Sequence, residues 1–273
     1  MMNTDEKRNI VFIDGSYFIF FRYYAMLSWY KISKQEIPKI LINDETFVER
    51  FKRTFIKKIK EIPKKLGIHK KSKTTIYVAK DCSKKDIWRN RYIEKYKATR
   101  DYKDFQGQPF FKMAYDTLFL EAGVKEILKH PKLEADDCIA IALKNMRENK
   151  QTELVNTYII TGDHDYLQLC GDDVKICNLK FKTINNEKTS TGDPKCDLFL
   201  KIILGDKSDN ISRVFSKCGK VMAMKLWNNK NLFAEKLIKE NCKEKFILNK
   251  RIIDFDFIPK EYKIEFLNTF NIL

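Results

Sequence analysis

Three short apolar runs in this 273-residue chain each deliver an aspartate. Asn9-Ile-Val-Phe-Ile13 runs into Asp14-Gly-Ser16, and Thr74-Thr-Ile-Tyr-Val-Ala79 is followed by Asp81. Leu154-Val-Asn-Thr-Tyr-Ile-Ile160 passes through Thr161-Gly162 to Asp163 and Asp165. Such β-branched and aromatic runs, bounded by Gly or Asp, read as buried strands. Between them the period changes. Asp44 to Ile62 carries Phe47, Phe51, Phe55, Ile59 and Ile62 at three- and four-residue spacing, as in an amphipathic covering helix. Tyr17 to Tyr30 is apolar nearly all round, which predicts a buried helix. Pro109 can start a helix through Leu120 that Gly123 ends, and Asp193-Pro194 can start another ending at Leu204-Gly205. Val124 to Leu128 and Val174 to Asn178 supply two more strands, and Asn185 to Lys188 a turn. Strands alternating with helices predict an α/β fold: a mostly parallel central sheet flanked by helices, with right-handed crossovers. The carboxyl edge of such a sheet is where ligand sites form. The aspartates all fall there. Beyond Ile211 the chain reads as Lys-rich and helical, closing with a strand-like run at Ile252 to Pro259, whose acids suggest a solvated edge, and a last helix.

More acids join the first group. Lys132-Leu-Glu-Ala-Asp-Asp-Cys-Ile-Ala-Ile141 puts Glu134, Asp136 and Asp137 at the head of a helical apolar run. Acids in a first turn suit the helix dipole, and a lone Asp14 or Ser16 could merely cap a helix. Three acids in four residues exceed what a cap requires, because packed like charges are costly without compensating cations. Gly205-Asp-Lys-Ser-Asp-Asn210 adds Asp206 and Asp209, and lacks the spacing of a phosphate-binding P-loop. Carboxylate oxygens without His or Cys partners suit hard cations such as Mg²⁺ or Mn²⁺. His164, inside the Gly-Asp-His-Asp loop, reads as a solvent-facing residue.

The formal net charge of +16 favours a polyanionic partner. With nine acids withdrawn into one site, the remaining surface is more basic still. Residues 84–111 concentrate that charge, interleaving Lys and Arg with Tyr and Trp; a solvated surface could look the same, but so does a nucleic-acid groove. The seven Cys contain no C-x-x-C pair and read as reduced thiols. With no evident signal peptide and no uncharged apolar stretch of membrane-spanning length, a soluble intracellular protein is expected.

Five segments together resemble the successive motifs of the 5′ nuclease superfamily. They are Ile13-Asp-Gly-Ser16, Tyr96-Lys-Ala-Thr-Arg100, Leu133-Glu-Ala-Asp-Asp137, Ile160-Thr-Gly-Asp-His-Asp165 and Leu204-Gly-Asp-Lys-Ser-Asp-Asn-Ile211. Lys201 to Asn210 and Ile253-Asp-Phe-Asp-Phe-Ile-Pro259 look closest to the ribonuclease H of T-even bacteriophages, so the resemblance implies a phage-like member. It also implies a PIN-like nuclease core over residues 7–204, with a basic arch at 84–111. Residues 205–273 would then be a helix-three-turn-helix-like and C-terminal helical region that binds DNA. Asp14, Asp81, Glu134 and Asp136, with Asp137 beside them, look like ligands of a first metal ion. Asp163, Asp165, Asp206 and Asp209 look like those of a second. Arg89, Lys97 and Arg100 fall where the family's gateway cations hold the scissile phosphate. Lys84, Lys85, Lys217, Gly219 and Lys220 are the implied nucleic-acid contacts. The hairpin at 211–220 has Ser216 and Cys218 where glycines are usual, and would be the place for a monovalent cation. The implied activity is two-metal, 5′-to-3′ hydrolysis of DNA at 5′ flaps, nicks or RNA primers in replication or repair, by a monomer that meets replication proteins. A PIN-type single-strand ribonuclease and a non-catalytic branched-DNA binding protein are the competing readings.

Overall fold

The computed structural model describes residues 8–33, 37, 39–99, 105–153, 155–185, 190–270 and 272. Its centre is a five-stranded sheet built from β1 (Arg8–Asp14), β2 (Thr74–Ala79), β3 (Glu126–Leu128), β4 (Val155–Ile160) and β5 (Val174–Cys177). Their order is β3-β2-β1-β4-β5, and every neighbouring pair is parallel. β1 is therefore central and nearly continuous in apolar residues, as a strand covered on both faces must be. Its register pairs Ile13 with Val78 on one side and Ile160 on the other, bringing the carboxyl ends of β1, β2 and β4 level. Strand order reverses between β1 and β4, and open α/β sheets place ligands at that crevice.

One face of the sheet receives Val11 and Ile13 and is covered by α1 (Gly15–Ile32), α2 (Glu45–Lys65) and the segment α3 (Gln108–Met113) to α4 (Phe119–Glu121). The predicted stripe of α2 is fully buried, with Phe55 meeting both Phe18 and Phe119 at 5.0 Å between ring centroids. Between α3 and α4 the helix expected to run unbroken makes a π-turn at Ala114–Leu118. Such turns re-aim side chains near functional sites. This one holds Tyr115, whose hydroxyl lies 3.4 Å from that of Ser16.

The opposite face receives Ile10 and Phe12 and is covered by α5 (Ala135–Glu148) and the C-terminal residues Phe255, Ile258, Tyr262 and Phe266. A separate small core gathers Cys196, Leu200 and Ile203 of α6 (Pro194–Leu204) with Val214, Phe215, Cys218 and the start of α7 (Lys220–Asn228). α8 (Lys230–Lys239), α9 (Lys243–Ile253) and α10 (Lys260–Thr269) complete the chain. Cys218, where the resemblance implies glycine, is 1% exposed and fills this core.

The strand-like run at Ile252–Pro259 is not a strand. Ile252 and Ile253 end α9, and Asp254 caps a 3₁₀ turn over Phe255–Phe257 by accepting from Asp256 N at 2.9 Å. That local bond competes with a ladder, and the buried positions Ile252, Ile253, Phe255 and Ile258 do not alternate. Its acids divide: Asp254 is buried, while Asp256 is exposed to solvent and pairs with Lys144 at 2.5 Å. Leu154, Arg100 and positions 186–188 of the expected turn lie outside the described residues. Among the described residues, no helix is long and apolar enough to cross a membrane.

Candidate metal centre

A cleft of about 510 Å³ opens at the carboxyl edge of the sheet, lined by Asp14, Asp81, Glu134, Asp136, Asp163 and Asp206. Asp14 is the last residue of β1 and caps α1, accepting from Tyr17 N at 3.0 Å. The next residue has to be glycine. A Cβ on Gly15 would stand 2.5 Å from both the Ala79 carbonyl and the Tyr115 hydroxyl. Asp81, just past β2, accepts from Ser16 Oγ at 2.6 Å and from Ala135 N at 2.9 Å. It thereby ties the end of β2 to both helices. Thr161 Oγ1, following β4, donates to Asp14 at 3.3 Å.

The α5 acids divide. Glu134 is the N-cap, and Asp137 closes a capping box by accepting from Glu134 N at 3.1 Å. Asp137 is 0% exposed and takes further bonds from Trp88 Nε1 at 2.9 Å and from both Arg89 Nη atoms at 2.7 Å. Arg89 itself is 3% exposed, with Nη1 also on Glu134 at 2.8 Å and Nε on the Ile252 carbonyl at 2.8 Å. Arg89 thus lies beneath the acids and does not line the cleft. Capping, the plainer of the two sequence readings, describes much of what Asp137 does. Its oxygens nevertheless stay close enough to those of Glu134 and Asp136 for one ion, all within 4.8 Å.

Lys97 reaches the cleft from a left-handed backbone position (φ 52°), with Nζ 2.5 Å from Glu134 and 3.7 Å from Asp209. Tyr96 OH bridges the same two acids, at 3.1 Å to Glu134 and 3.2 Å to Asp209. Asp165, Asp206 and Asp209 offer oxygens within 4.8 Å of one another, and Lys201 Nζ contacts Asp165 and lies 2.9 Å from Asp206. Gly205, at φ 66°, lets α6 stop and turn into this loop; a Cβ there would meet the Ile211 carbonyl at 2.4 Å. His164 is exposed on the cleft rim. Lys84, Lys85, Lys217, Gly219 and Lys220 are exposed.

Electrostatics separates the cleft into two sides. Burial, then the charges of Asp81 and Asp163, push Asp14 up to about 7. Burial, then Asp137, hold Asp136 well above the ordinary carboxylate range. Burial would raise Glu134 too, but Lys97 and Arg89 outweigh it and its pKa falls. Likewise burial would raise Asp206, but Lys201 and Ser208 outweigh it, and Asp206 lies at about 2. Acids that resist ionisation because burial and neighbouring acids outweigh any nearby cation are those a divalent ion would stabilise most. The donors are all oxygens, so the residues present fit a hard cation.

Residues 9–193 match the family model "5′-3′ exonuclease, N-terminal resolvase-like domain". The chain belongs to this 5′–3′ exonuclease family. It is 26% identical to the 5′-3′ exonuclease of Buchnera aphidicola, over 97% of this chain and 92% of that one. With the ribonuclease H of Enterobacteria phage T4 it shares 26% identity, over 72% of this chain and 70% of the other. The Bacillus subtilis 5′-3′ exonuclease is 33% identical, but over only 45% of this chain and 42% of its own length. Among solved structures, the bacteriophage T5 flap endonuclease in a pseudo-enzyme–product complex with DNA and metal ions superposes with a TM-score of 0.67. Identity there is 17%, covering 96% of this chain and 97% of that one. The 5′–3′ exonuclease fold thus extends past the matched domain into the C-terminal helices. Four side chains that the sequence reading passed over help build the site: Ser16, Tyr96, Thr161 and Lys201. Ser16, Tyr96 and Thr161 lay inside quoted motifs, and Lys201 opened the segment resembling the phage ribonuclease H, with no role of its own assigned.

Proposed function

We propose that this member of the 5′–3′ exonuclease family hydrolyses DNA phosphodiesters at 5′ flaps, nicks and RNA primers, using two Mg²⁺ or Mn²⁺ ions. The observation that carries it is the convergence of acids from β1, β2, β4, α5 and the loop after α6 on one cleft within a strongly basic chain. Asp14, Asp81, Glu134 and Asp136, with Asp137 behind them, would hold one ion, and Asp163, Asp165, Asp206 and Asp209 the other. Bound divalent ions supply charge neutralisation at the phosphate and acidify water enough to make it a nucleophile near neutral pH. The protein's part is to hold oxygens in place. Arg89 fixes Glu134 and Asp137 from below, and Tyr96 spans Glu134 and Asp209. Lys97 enters from the cleft side, where an ammonium can meet phosphate charge. Arg100 belongs to the same proposed gateway by sequence. Residues 7–204 would form the nuclease core and 205–273 the duplex grip. There, the exposed Lys217, Gly219 and Lys220 at the amino end of α7 offer backbone donors and positive charge to a phosphate.

The test titrates Mg²⁺ against cleavage of a labelled 5′-flap duplex and of single-stranded RNA. Cleavage near the flap junction, abolished by chelation and restored by metal, is expected, with little on the RNA. Asp163→Asn should cut turnover about a hundredfold or more while leaving flap affinity near wild type. Undiminished cleavage in excess chelator would remove the two-metal reading, and preferential RNA cleavage would favour a PIN-type ribonuclease.

A further inference from the structure

The two sides of the cleft differ in how their negative charge is already met. Asp14, Asp81, Asp136 and Asp163 form no ion pair among the described residues. Their hydrogen bonds come from neutral groups: Tyr17 N, Ser16 Oγ, Thr161 Oγ1 and the backbone of Ala135, Asp137 and Asp165. On the other side the Lys201 ammonium stands against both Asp165 and Asp206. An ammonium shared by two carboxylates occupies the electrostatic position of a cation. A divalent ion bound through those same oxygens would lie within a few ångströms of it, where repulsion between the two cations is strong.

Lys201 also has somewhere to go. It lines both the acidic cleft and an adjoining cavity of about 200 Å³ whose wall includes Asp197 and Lys220. Asp197 sits four residues before Lys201 on α6, hence on the same helix face. Its oxygens take Ser190 Oγ at 2.5 Å and Thr191 N at 2.8 Å, so the carboxylate is held in place as an alternative partner. The flexible four-carbon stem of a lysine can cross between the two without moving the helix.

We propose that Lys201 is a resident counter-cation of the Asp165–Asp206 side, displaced toward Asp197 when a divalent ion binds, and that it sets the weaker metal affinity of that side. This rests on the reading that the acids hold divalent ions. In the absence of metal the lysine neutralises the pair; in its presence the charge is handed over. The arrangement keeps the second ion exchangeable, while on the first side Asp14, Asp81 and Asp136 meet no ammonium among the described residues and only Glu134 shares one, Lys97, with Asp209.

Mn²⁺ binding to the full chain without DNA, followed by the paramagnetic resonance of free Mn²⁺, tests this without reference to activity. Wild type should show a tighter and a weaker class. Lys201→Met should tighten the weaker class about tenfold and leave the tighter one unchanged, while Lys201→Arg should resemble wild type. Lys201→Gln, which keeps a polar end, should behave as Lys201→Met does and serves if the methionine variant folds poorly. A lysine that only braced the loop would, when removed, lower the melting temperature and weaken metal binding. Unchanged or weakened affinity in both neutral variants would overturn the inference. Absence of Mn²⁺ binding in every form, wild type included, would instead remove the metal-centre reading, and the inference with it.

Discussion

At the scale of single residues, the same type of side chain does opposite work depending on what faces it. Asp14 and Asp206 are both recessed carboxylates, yet one lies at about 7 and the other at about 2. Asp14 is raised by burial and by the charges of Asp81 and Asp163, whereas at Asp206 the Lys201 ammonium outweighs burial. A raised folded-state pKa means that, between about 4 and 7, the native protein holds a proton that the unfolded chain has released. Stability therefore falls as pH rises through that window, by up to about 4 kcal/mol for a shift of this size. In chelator, Asp14→Asn should melt above wild type at pH 8, and the gap should close toward pH 4.5. Saturating Mg²⁺ should reverse the order by stabilising only the wild type. A gap that ignored pH would show that Asp14 is not held in this way. Arg89 makes the complementary case. Arg89→Met strands the fully buried Asp137 and should cost about 3–5 kcal/mol, seen as early denaturant unfolding. Lys97→Ala leaves Glu134 bonded to Arg89 and Tyr96, so turnover should drop with little change in that midpoint. Equal unfolding midpoints for the two variants would place Arg89 at the cleft and not beneath it.

Elements explain why some of these residues could be read in advance and others not. The aspartates after β1, β2 and β4 were legible because a buried strand announces itself by composition, and its carboxyl end fixes where the next polar residue must lie. The α5 acids were legible as a group, but not their division of labour. Only the capping geometry separates Asp137, turned into the Arg89 pair, from Asp136 in the cleft. The composition of residues 84–111 fits either a nucleic-acid groove or a solvated surface. Instead Trp88, Arg89 and Tyr96 are buried as props, while Lys84 and Lys85 stay on the surface. A basic, aromatic composition cannot distinguish cations that face in from those that face out. The salt dependence of binding can. Changing Lys84 and Lys85 together to Ala should reduce the slope of log affinity against log salt by about one to two units. The same change at Lys57 and Lys60 on α2 should leave the slope nearly unaltered; equal slopes for the two pairs would mean that the segment is an ordinary charged surface.

At the scale of the whole molecule, sequence period was enough for the α/β class and for a parallel sheet, but not for the end of the chain. Ile252–Pro259 is apolar and aromatic like a strand, yet Asp254 bonds its own backbone and Pro259 opens α10, so the run folds as helix end and turn. Its apolar residues then serve the α5 face of the sheet, which is why the C-terminal helix shares a core with strands some two hundred and fifty residues earlier in the chain. Nothing in local periodicity encodes that reach. The role of Lys201 was illegible for a related reason: a lysine near a helix end suits the dipole, and only the folded loop brings Asp165 to it.

The central position of β1 has a consequence in time. Its first residue, Arg8, pairs with Val155, so during synthesis one edge of β1 stays open until more than half of the chain has been made. Parallel pairings between such distant segments are slow to form and leave aggregation-prone edges while they wait. The crevice between β1 and β4 is also where the acids meet, so the mutual repulsion of Asp14 and Asp163 first appears at the step that closes the sheet. Divalent ions should then leave early refolding phases untouched and accelerate the final one. Stopped-flow tryptophan fluorescence with and without Mg²⁺ measures this directly, and an effect confined to the early phases would mean that the acids gather before the sheet does.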